Sequence, residues 1–272
     1  MTHRLGIIGG GNMGLAIARG AVAARVLAPA AIAVADPDPQ RRDLAADLGC
    51  ATAADPAGVV SSEQLLLAVK PQTFADVARV IGPLERPTIV ISIMAGLETD
   101  LLQRQLGPKA RIVRAMPNTP CQLGEGMTGI ALGAGAQPGD DTLARQIFEA
   151  LGRTVQLDEE LLHAVTAVSG SGPAYVYLLA ELMEKAAGEI GLDPATAQLL
   201  VVQTIIGAGR MLRETGSDPA ELRRIVTTPQ GTTAAAVDVM VRRQLPEILI
   251  EALTAARDRG RTLAREADGA GP

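Results

Sequence analysis

Residues 5–14 read LGIIGGGNMG, an apolar run that passes directly into a glycine-rich turn. The glycines follow the G-x-G-x-x-G spacing, which allows a tight turn after a strand and lets a pyrophosphate approach free N–H groups at a helix start. Alone the pattern is weak, because any tight strand-to-helix turn can be rich in glycine. Its place after the first apolar run predicts a dinucleotide site. The predicted binding residues of this turn are Gly9, Gly11, Asn12, Met13 and Gly14.

Outward from this turn, short apolar runs alternate with amphipathic helical stretches such as residues 40–48 and 73–81. Unbroken runs of this length, separated by helices, indicate a parallel sheet with helices on both faces. The sequence therefore predicts an α/β fold whose N-terminal Rossmann-type, doubly wound domain spans residues 1–157. The runs cover residues 5–8, 31–35, 65–69, 88–93 and 111–115, with later strand candidates at 126–133 and 153–157.

The alternation stops after Asp158, and residues 158–272 are predicted to form an all-helical dimerisation domain. Asp158, Asp193 and Asp218 are candidate N-caps, while Gly191 and Gly216 stand where helices should end. Two apolar runs, AQLLVVQTIIGA and LPEILIEALTAA, carry more apolar surface than one small helical layer can bury. A second copy of the chain is the expected partner.

The composition narrows the class of protein. The chain has 272 residues and a net charge of −5, with 47% hydrophobic and 1% aromatic residues. A globular protein is expected, with neither nucleic acid nor membrane as a partner, because there is no basic excess, almost no stacking surface and no long apolar run. Only two cysteines are present and no leader pattern is visible, so a cytoplasmic location is predicted. No metal-ligand spacing occurs, so no metal is expected.

The end of the second apolar run gives conflicting signals about the cofactor. An acid such as Asp36 at this position normally accepts a hydrogen bond from the adenine ribose 2′-OH, which favours NAD(H). Arg41 and Arg42 follow within reach of a 2′-phosphate, which favours NADP(H). The alternative for the two arginines is an exposed helix face.

Three later runs also end in turns, and ligands of open α/β sheets lie beyond the carboxyl ends of the strands. Lys70 is a candidate to hold a charge of the cofactor or substrate, or is simply exposed. Asn118 is a candidate to bond a carboxamide, or is a plain turn residue. The predicted cofactor-binding residues of these turns are Ala68, Val69, Lys70, Pro71, Met94, Ala95, Gly96 and Asn118.

Residues 225–233, IVTTPQGTT, break a region that otherwise reads as helix after helix. Four threonines surround a proline and a glycine, residue types that do not favour a continuous helix. No hydrolase motif accompanies this hydroxyl-rich break, and His3 and His163 are better explained as structural residues. A reaction that needs little from protein acids and bases is therefore expected, and hydride transfer to an already electrophilic substrate meets that requirement.

Six motifs in this order resemble pyrroline-5-carboxylate reductases over essentially the whole chain: IIGGGNMG, LAVKPQ, SIMAGL, RAMPNTP, VTAVSGSGPAYVY and VTTPQGTT. The resemblance implies reduction of 1-pyrroline-5-carboxylate to L-proline with NADP(H), or alternatively NAD(H). It implies that Thr228 and Thr233 are catalytic and that the threonine segment binds the carboxylate of the cyclic imino acid. The implied substrate-binding residues are Thr228, Gly231, Thr232, Thr233 and, weakly, Glu159.

The resemblance also implies a dimer, with assembly of dimers into a decamer as a further alternative. Two positions depart from the family pattern: Gln230 replaces the first glycine of the usual Gly-Gly, and Asp55 stands where an asparagine near the adenosine ribose is common. The β-hydroxyacid dehydrogenases share the first motif, but Val176 occupies the position of their lysine. A catalytically silent dinucleotide sensor is the alternative from a different class.

Overall fold

Eight strands form one sheet in the part of the chain, residues 2–269, that this computed structural model describes. The strands are β1 (Leu5–Ile8), β2 (Ile32–Ala35), β3 (Ala51–Ala53), β4 (Gln64–Leu67), β5 (Thr88–Ser92), β6 (Ala110–Met116), β7 (Gly126–Leu132) and β8 (Gly152–Gln156). The α-helices are α1 (Asn12–Ala23), α2 (Pro39–Asp47), α3 (Phe74–Ile81), α4 (Thr99–Leu106), α5 (Thr142–Glu149), α6 (Leu162–Val165), α7 (Gly172–Glu189), α8 (Pro194–Thr215), α9 (Pro219–Ile225), α10 (Thr232–Arg242) and α11 (Leu245–Ala267).

The order of the strands creates a crevice at the end of β1. The sheet runs β3-β2-β1-β4-β5-β6-β7-β8, so β1 lies between β2 and β4. Both neighbours are parallel to β1, with Leu5 opposite Ile32 on one side and Gln64 on the other. The winding direction reverses here, and in open α/β sheets such a switch point is where ligands bind. The predicted doubly wound α/β fold is confirmed.

Helices cover both faces of the sheet, as the alternating sequence pattern predicts. On one face, α1 and α5 bury side chains such as Ile17 and Phe148 against the strands. On the other face, α3 and α4 do so with Phe74 and Leu102. Each large apolar side chain that is fully buried stabilises the fold by about 1.5–3 kcal/mol. The apolar face of each helix therefore packs against the sheet.

Two features of the sheet differ from the sequence prediction. The strand β3 is only three residues, Ala-Thr-Ala, too short and too small in its side chains to be predicted as a strand. The pairing of β6 with β7 is antiparallel, because the chain returns directly through a short turn at Thr119–Leu123 instead of crossing over through a long helix.

The helices after β8 begin and end largely where the caps predict. The Asp193 carboxylate accepts hydrogen bonds from the Ala195 and Thr196 N–H groups, and Asp218 accepts one from Ala220. Gly216 ends α8 at φ 62°, a left-handed conformation that glycine adopts without strain. Asp158 is also at an N-cap position, that of a short 3-10 turn at Glu159–Leu161, but its side chain makes no cap hydrogen bond.

The chain divides into two compact units. The first unit contains the chain up to Ser171 and from Ala255 onward, and the second contains Gly172–Thr254. The boundary predicted from the sequence, at residue 157/158, lies just after the last strand of the sheet and not at the start of the second unit. The difference arises because α6 packs on β7, where Leu162 and Val165 lie over Gly129, and because the end of α11 packs against the loop at Gly96.

The second unit carries many exposed apolar side chains. Leu199 and Ile250 are examples, with 71% and 68% of their surface exposed. By length and composition alone, α8 is apolar enough to cross a membrane, and only 11% of its most apolar window is buried. Exposure on this scale indicates a surface that is covered by another molecule.

Candidate functional site

The glycine turn after β1 has the shape of a phosphate-binding loop. Gly9 has φ 107°, and a Cβ there would lie 2.7 Å from the Ala68 carbonyl. A Cβ on Gly14 would overlap the Gly9 carbonyl oxygen. A Cβ on Gly11 would meet only the Arg41 guanidinium, at 3.8 Å. The protein's own packing therefore requires the first and third glycines, whereas the second faces open space that a ligand can fill.

The helix that follows this turn begins without a side-chain cap. Gly11 is the N-cap of α1, and its carbonyl accepts the first helical hydrogen bond, from Leu15. Among the described residues, none accepts a hydrogen bond from the N–H groups of Asn12, Met13 or Gly14. These free donors, together with the helix dipole, favour an anion at this position.

Asp36 lies at the end of β2 and is 4% exposed. One carboxylate oxygen accepts a hydrogen bond from the Gly10 N–H at 2.7 Å, and the other accepts one from Asp38 N–H at 2.9 Å. The carboxylate therefore connects the glycine turn to the loop after β2. The contact of Asp36 with a ribose hydroxyl stays a prediction.

A cavity of about 250 Å³ opens beside Gly9 at the switch point. The cavity is lined mostly by apolar residues, and Asp55 is also part of the lining. The Asp55 carboxylate accepts a hydrogen bond from the Ala57 N–H. A mostly apolar cavity with acidic side chains in its lining suits the adenosine end of a dinucleotide. The lining residues include Ile8, Ala35, Asp36, Pro37, Pro56, Val69, Val77 and Val80.

The turns after β4 and β5 border a larger cavity of about 670 Å³, which Pro71, Ala95 and Gly96 help to line. Lys70 is exposed, and no described residue accepts a hydrogen bond from its ammonium group. The Met94 side chain is instead part of the core, 2% exposed, so this residue can offer a ligand little beyond its backbone. Ala68 and Val69 lie at the same sheet edge, where Ala68 N–H donates to the Ile8 carbonyl.

Asn118, at the end of β6, uses its side chain within the protein. The amide oxygen accepts a hydrogen bond from Met127 N–H at 2.9 Å, and the amide nitrogen donates to the Ser169 carbonyl at 3.1 Å. These bonds hold the turn after β6 to β7 and to a π-helical turn at Thr166–Gly170. The geometry supports the plain turn role over a direct contact with a carboxamide.

The threonine segment forms a tight turn that leads into α10, within the second unit. The Thr228 carbonyl accepts a hydrogen bond from Gly231 N–H at 3.0 Å, which closes a β-turn over Pro229 and Gln230. With proline second and φ 61° at Gln230, the turn is of type II. A Cβ on Gly231 would lie 2.5 Å from the Thr228 hydroxyl oxygen, so glycine lets this hydroxyl approach the start of α10.

The start of α10 resembles the start of α1 in lacking a cap. Gly231 is the N-cap and has no side chain to accept a hydrogen bond. In the part of the chain that the structure describes, the N–H groups of Thr232 and Thr233 have no acceptor, and the hydroxyls of Thr228, Thr232 and Thr233 form no hydrogen bond. Free amides and hydroxyls at one helix start form a neutral anion-binding site.

Glu159 has a structural role that the sequence does not reveal. Its carboxylate accepts hydrogen bonds from the Thr99 N–H and hydroxyl at the start of α4, and it pairs with Arg114 at 3.0 Å. Arg114 is 3% exposed, so this is a largely buried ion pair. The pairing was invisible in sequence because the partners are 45 and 60 residues away. The geometry favours this role over substrate binding.

Comparison with known proteins places this geometry in a family. A protein from Synechocystis named pyrroline-5-carboxylate reductase is 41% identical, over 98% of this chain and 100% of its own length. The chain belongs to the pyrroline-5-carboxylate reductase family. The family model for the dimerisation domain of these reductases matches residues 159–263, and a model described as NADP oxidoreductase, coenzyme F420-dependent, matches residues 4–96.

Solved structures of pyrroline-5-carboxylate reductases are also similar to this chain. A pyrroline-5-carboxylate reductase from Coxiella burnetii is 36% identical, with a TM-score of 0.89 over 97% of this chain and 99% of its own. A pyrroline carboxylate reductase from Plasmodium falciparum, solved with NADP bound, is 27% identical, with a TM-score of 0.85 over 96% and 98% of the two chains. Family membership over the full length decides against the β-hydroxyacid dehydrogenase alternative.

Proposed function

We propose that this protein is an oxidoreductase that reduces 1-pyrroline-5-carboxylate to L-proline with NAD(P)H, the last step of proline biosynthesis. The observation that carries the proposal is the uncapped start of α10 behind the Thr228–Gly231 turn. It offers amide and hydroxyl donors to a carboxylate without a positively charged side chain. Hydrogen bonds to a charged group contribute roughly 1.5–3 kcal/mol each, and the helix dipole adds roughly 0.3–1 kcal/mol.

In this proposal the threonine turn holds the substrate. The amides of Thr232 and Thr233 and the hydroxyl of Thr228 bind the carboxylate, and Gly231 allows the close approach. The Thr233 hydroxyl then lies near the ring nitrogen, which must carry a proton for the imine carbon to be electrophilic. Fixing the substrate in a reactive orientation is the protein's main contribution, and such positioning can be worth about 7–11 kcal/mol.

The proposed cofactor is NADP(H), with NAD(H) as the alternative, and the dinucleotide supplies the hydride when bound. The open Gly11, the uncapped start of α1 and the apolar cavity at the switch point fit such a group. The NADP oxidoreductase match over residues 4–96 and the NADP-bound relative support the phosphorylated form. Within the first unit, the turns after β4 and β5 extend the same sheet edge and are proposed to continue the site.

Self-association is supported by the dimerisation model and by the exposed apolar residues of the second unit. We propose a homodimer in which the threonine turn of one chain completes the cofactor site of the other, and dimers that assemble further into a decamer. A buried dimer interface also explains the apolar surface of α8 without a membrane.

A cytoplasmic location is part of the proposal. Cys50 and Cys121 are both buried and free, as expected of a protein in a reducing compartment. Burial raises the pKa of both thiols, which makes them poor nucleophiles.

Steady-state reduction of 1-pyrroline-5-carboxylate, measured separately with NADPH and NADH, tests the proposed function. Turnover with either cofactor, and formation of L-proline, are expected. Binding of NADP(H) without turnover would instead favour a silent dinucleotide sensor, and turnover of only a related cyclic imine would change the substrate.

A further inference from the structure

We infer that Arg41 is the residue that selects a 2′-phosphorylated dinucleotide, and that Asp36 positions the glycine turn and Arg41 instead of binding the ribose. This inference rests on the proposed function, because it concerns the cofactor of the same site. It reverses the reading of Asp36 as a mark of NAD(H), which the residue type alone suggests.

Asp36 is buried and already hydrogen-bonded within the protein. Both of its oxygens already accept backbone hydrogen bonds, from Gly10 at 2.7 Å and Asp38 at 2.9 Å, and the residue is 4% exposed. These two bonds use part of the acceptor capacity of the carboxylate and hold it against the backbone, where solvent barely reaches it. Asp36 is better described as a connection between the glycine turn and the loop after β2.

Arg41 lies beside the opening of the glycine turn. Its Nη1 atom lies 3.5 Å from Asp36 Oδ2, its Nε atom lies 3.6 Å from Asp38 Oδ2, and half of the side chain is exposed. The same Nη1 atom is 3.8 Å from where a Cβ on Gly11 would be, beside the one glycine of the turn that the protein leaves open. The two carboxylates thus aim a half-exposed guanidinium at the opening of the proposed dinucleotide site, and a guanidinium pairs well with a phosphate.

The neighbouring residue Arg42 is engaged in a different way. Arg42 Nη1 donates to the carbonyl oxygens of Asp36 and Pro37, both at 2.8 Å. Arg42 therefore holds the loop after β2 in shape. Arg41 makes only long ion pairs and is the better candidate to turn toward a ligand. Its charge also offsets the acids Asp36, Asp38 and Asp55 that would otherwise repel a phosphate.

Nucleotide binding without turnover tests the inference. Calorimetry measures the affinity of the protein for adenosine 2′,5′-bisphosphate and for 5′-AMP, two nucleotides that differ in the 2′-phosphate. Arg41→Gln should weaken binding of the bisphosphate by about 10- to 100-fold, since one or two charge-assisted hydrogen bonds are lost, and should change 5′-AMP binding by less than about 2-fold. Arg42→Gln is the matched control, and it should change the affinity for both nucleotides by the same factor.

A variant of Asp36 tests the positioning role of this residue. Asp36→Asn should weaken binding of 5′-AMP and of 2′-deoxy-5′-AMP by the same factor, because it loosens the glycine turn that both nucleotides share and removes no contact with a ribose 2′-OH. An equal loss of affinity for the bisphosphate and 5′-AMP in Arg41→Gln, no loss for either, or a loss in Asp36→Asn that is confined to 5′-AMP would overturn the inference. Arg41→Gln could lose affinity for the bisphosphate selectively while the wild-type protein fails to reduce 1-pyrroline-5-carboxylate. That outcome would support the inference and contradict the proposed function alone.

Discussion

Gln230 adopts a backbone conformation that its residue type disfavours. Its φ of 61° is required at the third position of the type II turn after Pro229, where glycine or asparagine is usual. A side chain in the left-handed region costs about 1–2 kcal/mol, and the departure of this chain from the family's Gly-Gly pattern therefore carries a strain.

Gln230→Gly should raise the free energy of unfolding by about 0.5–1 kcal/mol, because relief of this strain exceeds the extra entropy of an unfolded glycine. Denaturant unfolding measures the change. Gln244, at φ 62°, is the matched control outside the turn, and Gln244→Gly should give a similar gain. A lower stability of Gln230→Gly would mean that the glutamine side chain makes a stabilising contact.

Thr233→Ala should lower kcat/KM for 1-pyrroline-5-carboxylate by about 10- to 100-fold, which corresponds to about 1.4–2.7 kcal/mol of lost transition-state binding. The KM for the cofactor should hardly change. Thr227 lies in the same segment, but its hydroxyl donates to the Arg223 carbonyl. Thr227→Ala should therefore keep kcat/KM within about 2-fold of the wild-type value. Wild-type rates in Thr233→Ala would contradict the assigned role.

At the scale of elements, the buried pair of Arg114 and Glu159 connects β6 to the start of α4. Glu159→Ala should destabilise the protein by about 3–5 kcal/mol, because it leaves the Arg114 charge buried without a partner. The exposed pair of Arg145 and Glu149 is the control, and Glu149→Ala should cost at most about 1 kcal/mol.

Further variants of Arg114 and Glu159 distinguish a structural role of Glu159 from a role in substrate binding. Arg114→Met combined with Glu159→Leu should recover much of the lost stability, since no unpaired charge remains. Glu159→Gln keeps the shape of the side chain, and the KM for the imine should stay at its wild-type value. A large rise in KM in a stably folded Glu159→Gln variant would restore Glu159 to the substrate site.

The sequence predicted those helices and strands that are marked by a local pattern of residues. Five apolar runs and two later strand candidates correspond to seven of the eight strands of the described sheet, and Asp-Pro pairs marked the starts of α8 and α9. It missed β3, which is held by pairing with β2 and not by its own composition. It could not give the direction of β7, because direction depends on the connection.

In the candidate site, too, the sequence predicted what depends on local patterns and missed what depends on tertiary contacts. The G-x-G-x-x-G spacing and the threonine turn are local patterns, and both lie where the sequence placed them, at uncapped helix starts. The inward direction of Asp36, the core position of the Met94 side chain and the internal bonds of Asn118 depend on tertiary contacts. Residue type alone cannot reveal such contacts.

At the scale of the whole molecule, the proposed shared site can be tested by complementation. A Cβ on Gly11 meets no protein atom closer than 3.8 Å, so Gly11→Val should fold and block only the cofactor. A second variant carries Thr228→Ala and Thr233→Ala. With random pairing after joint refolding, about half of the dimers are mixed and each has one intact site, so about a quarter of wild-type activity should return.

The mixture must be shown to contain mixed dimers, for example by differently tagged chains. If each site were built within a single chain, every site would keep one defect, and no activity would return. Size measurement of the same samples reports whether dimers assemble into a decamer.

The neutral start of α10 has a consequence for how the enzyme responds to acidity. Its proposed donors are amides and hydroxyls, which do not titrate between about pH 6 and pH 9. A ring carboxylate without a nitrogen, such as cyclopentanecarboxylate, should therefore inhibit with a constant Ki across this range. With a constant Ki, a change of imine reduction with pH would arise outside the carboxylate site, and the proton on the substrate nitrogen is its expected source, so the substrate itself would help to set the pH at which this protein works.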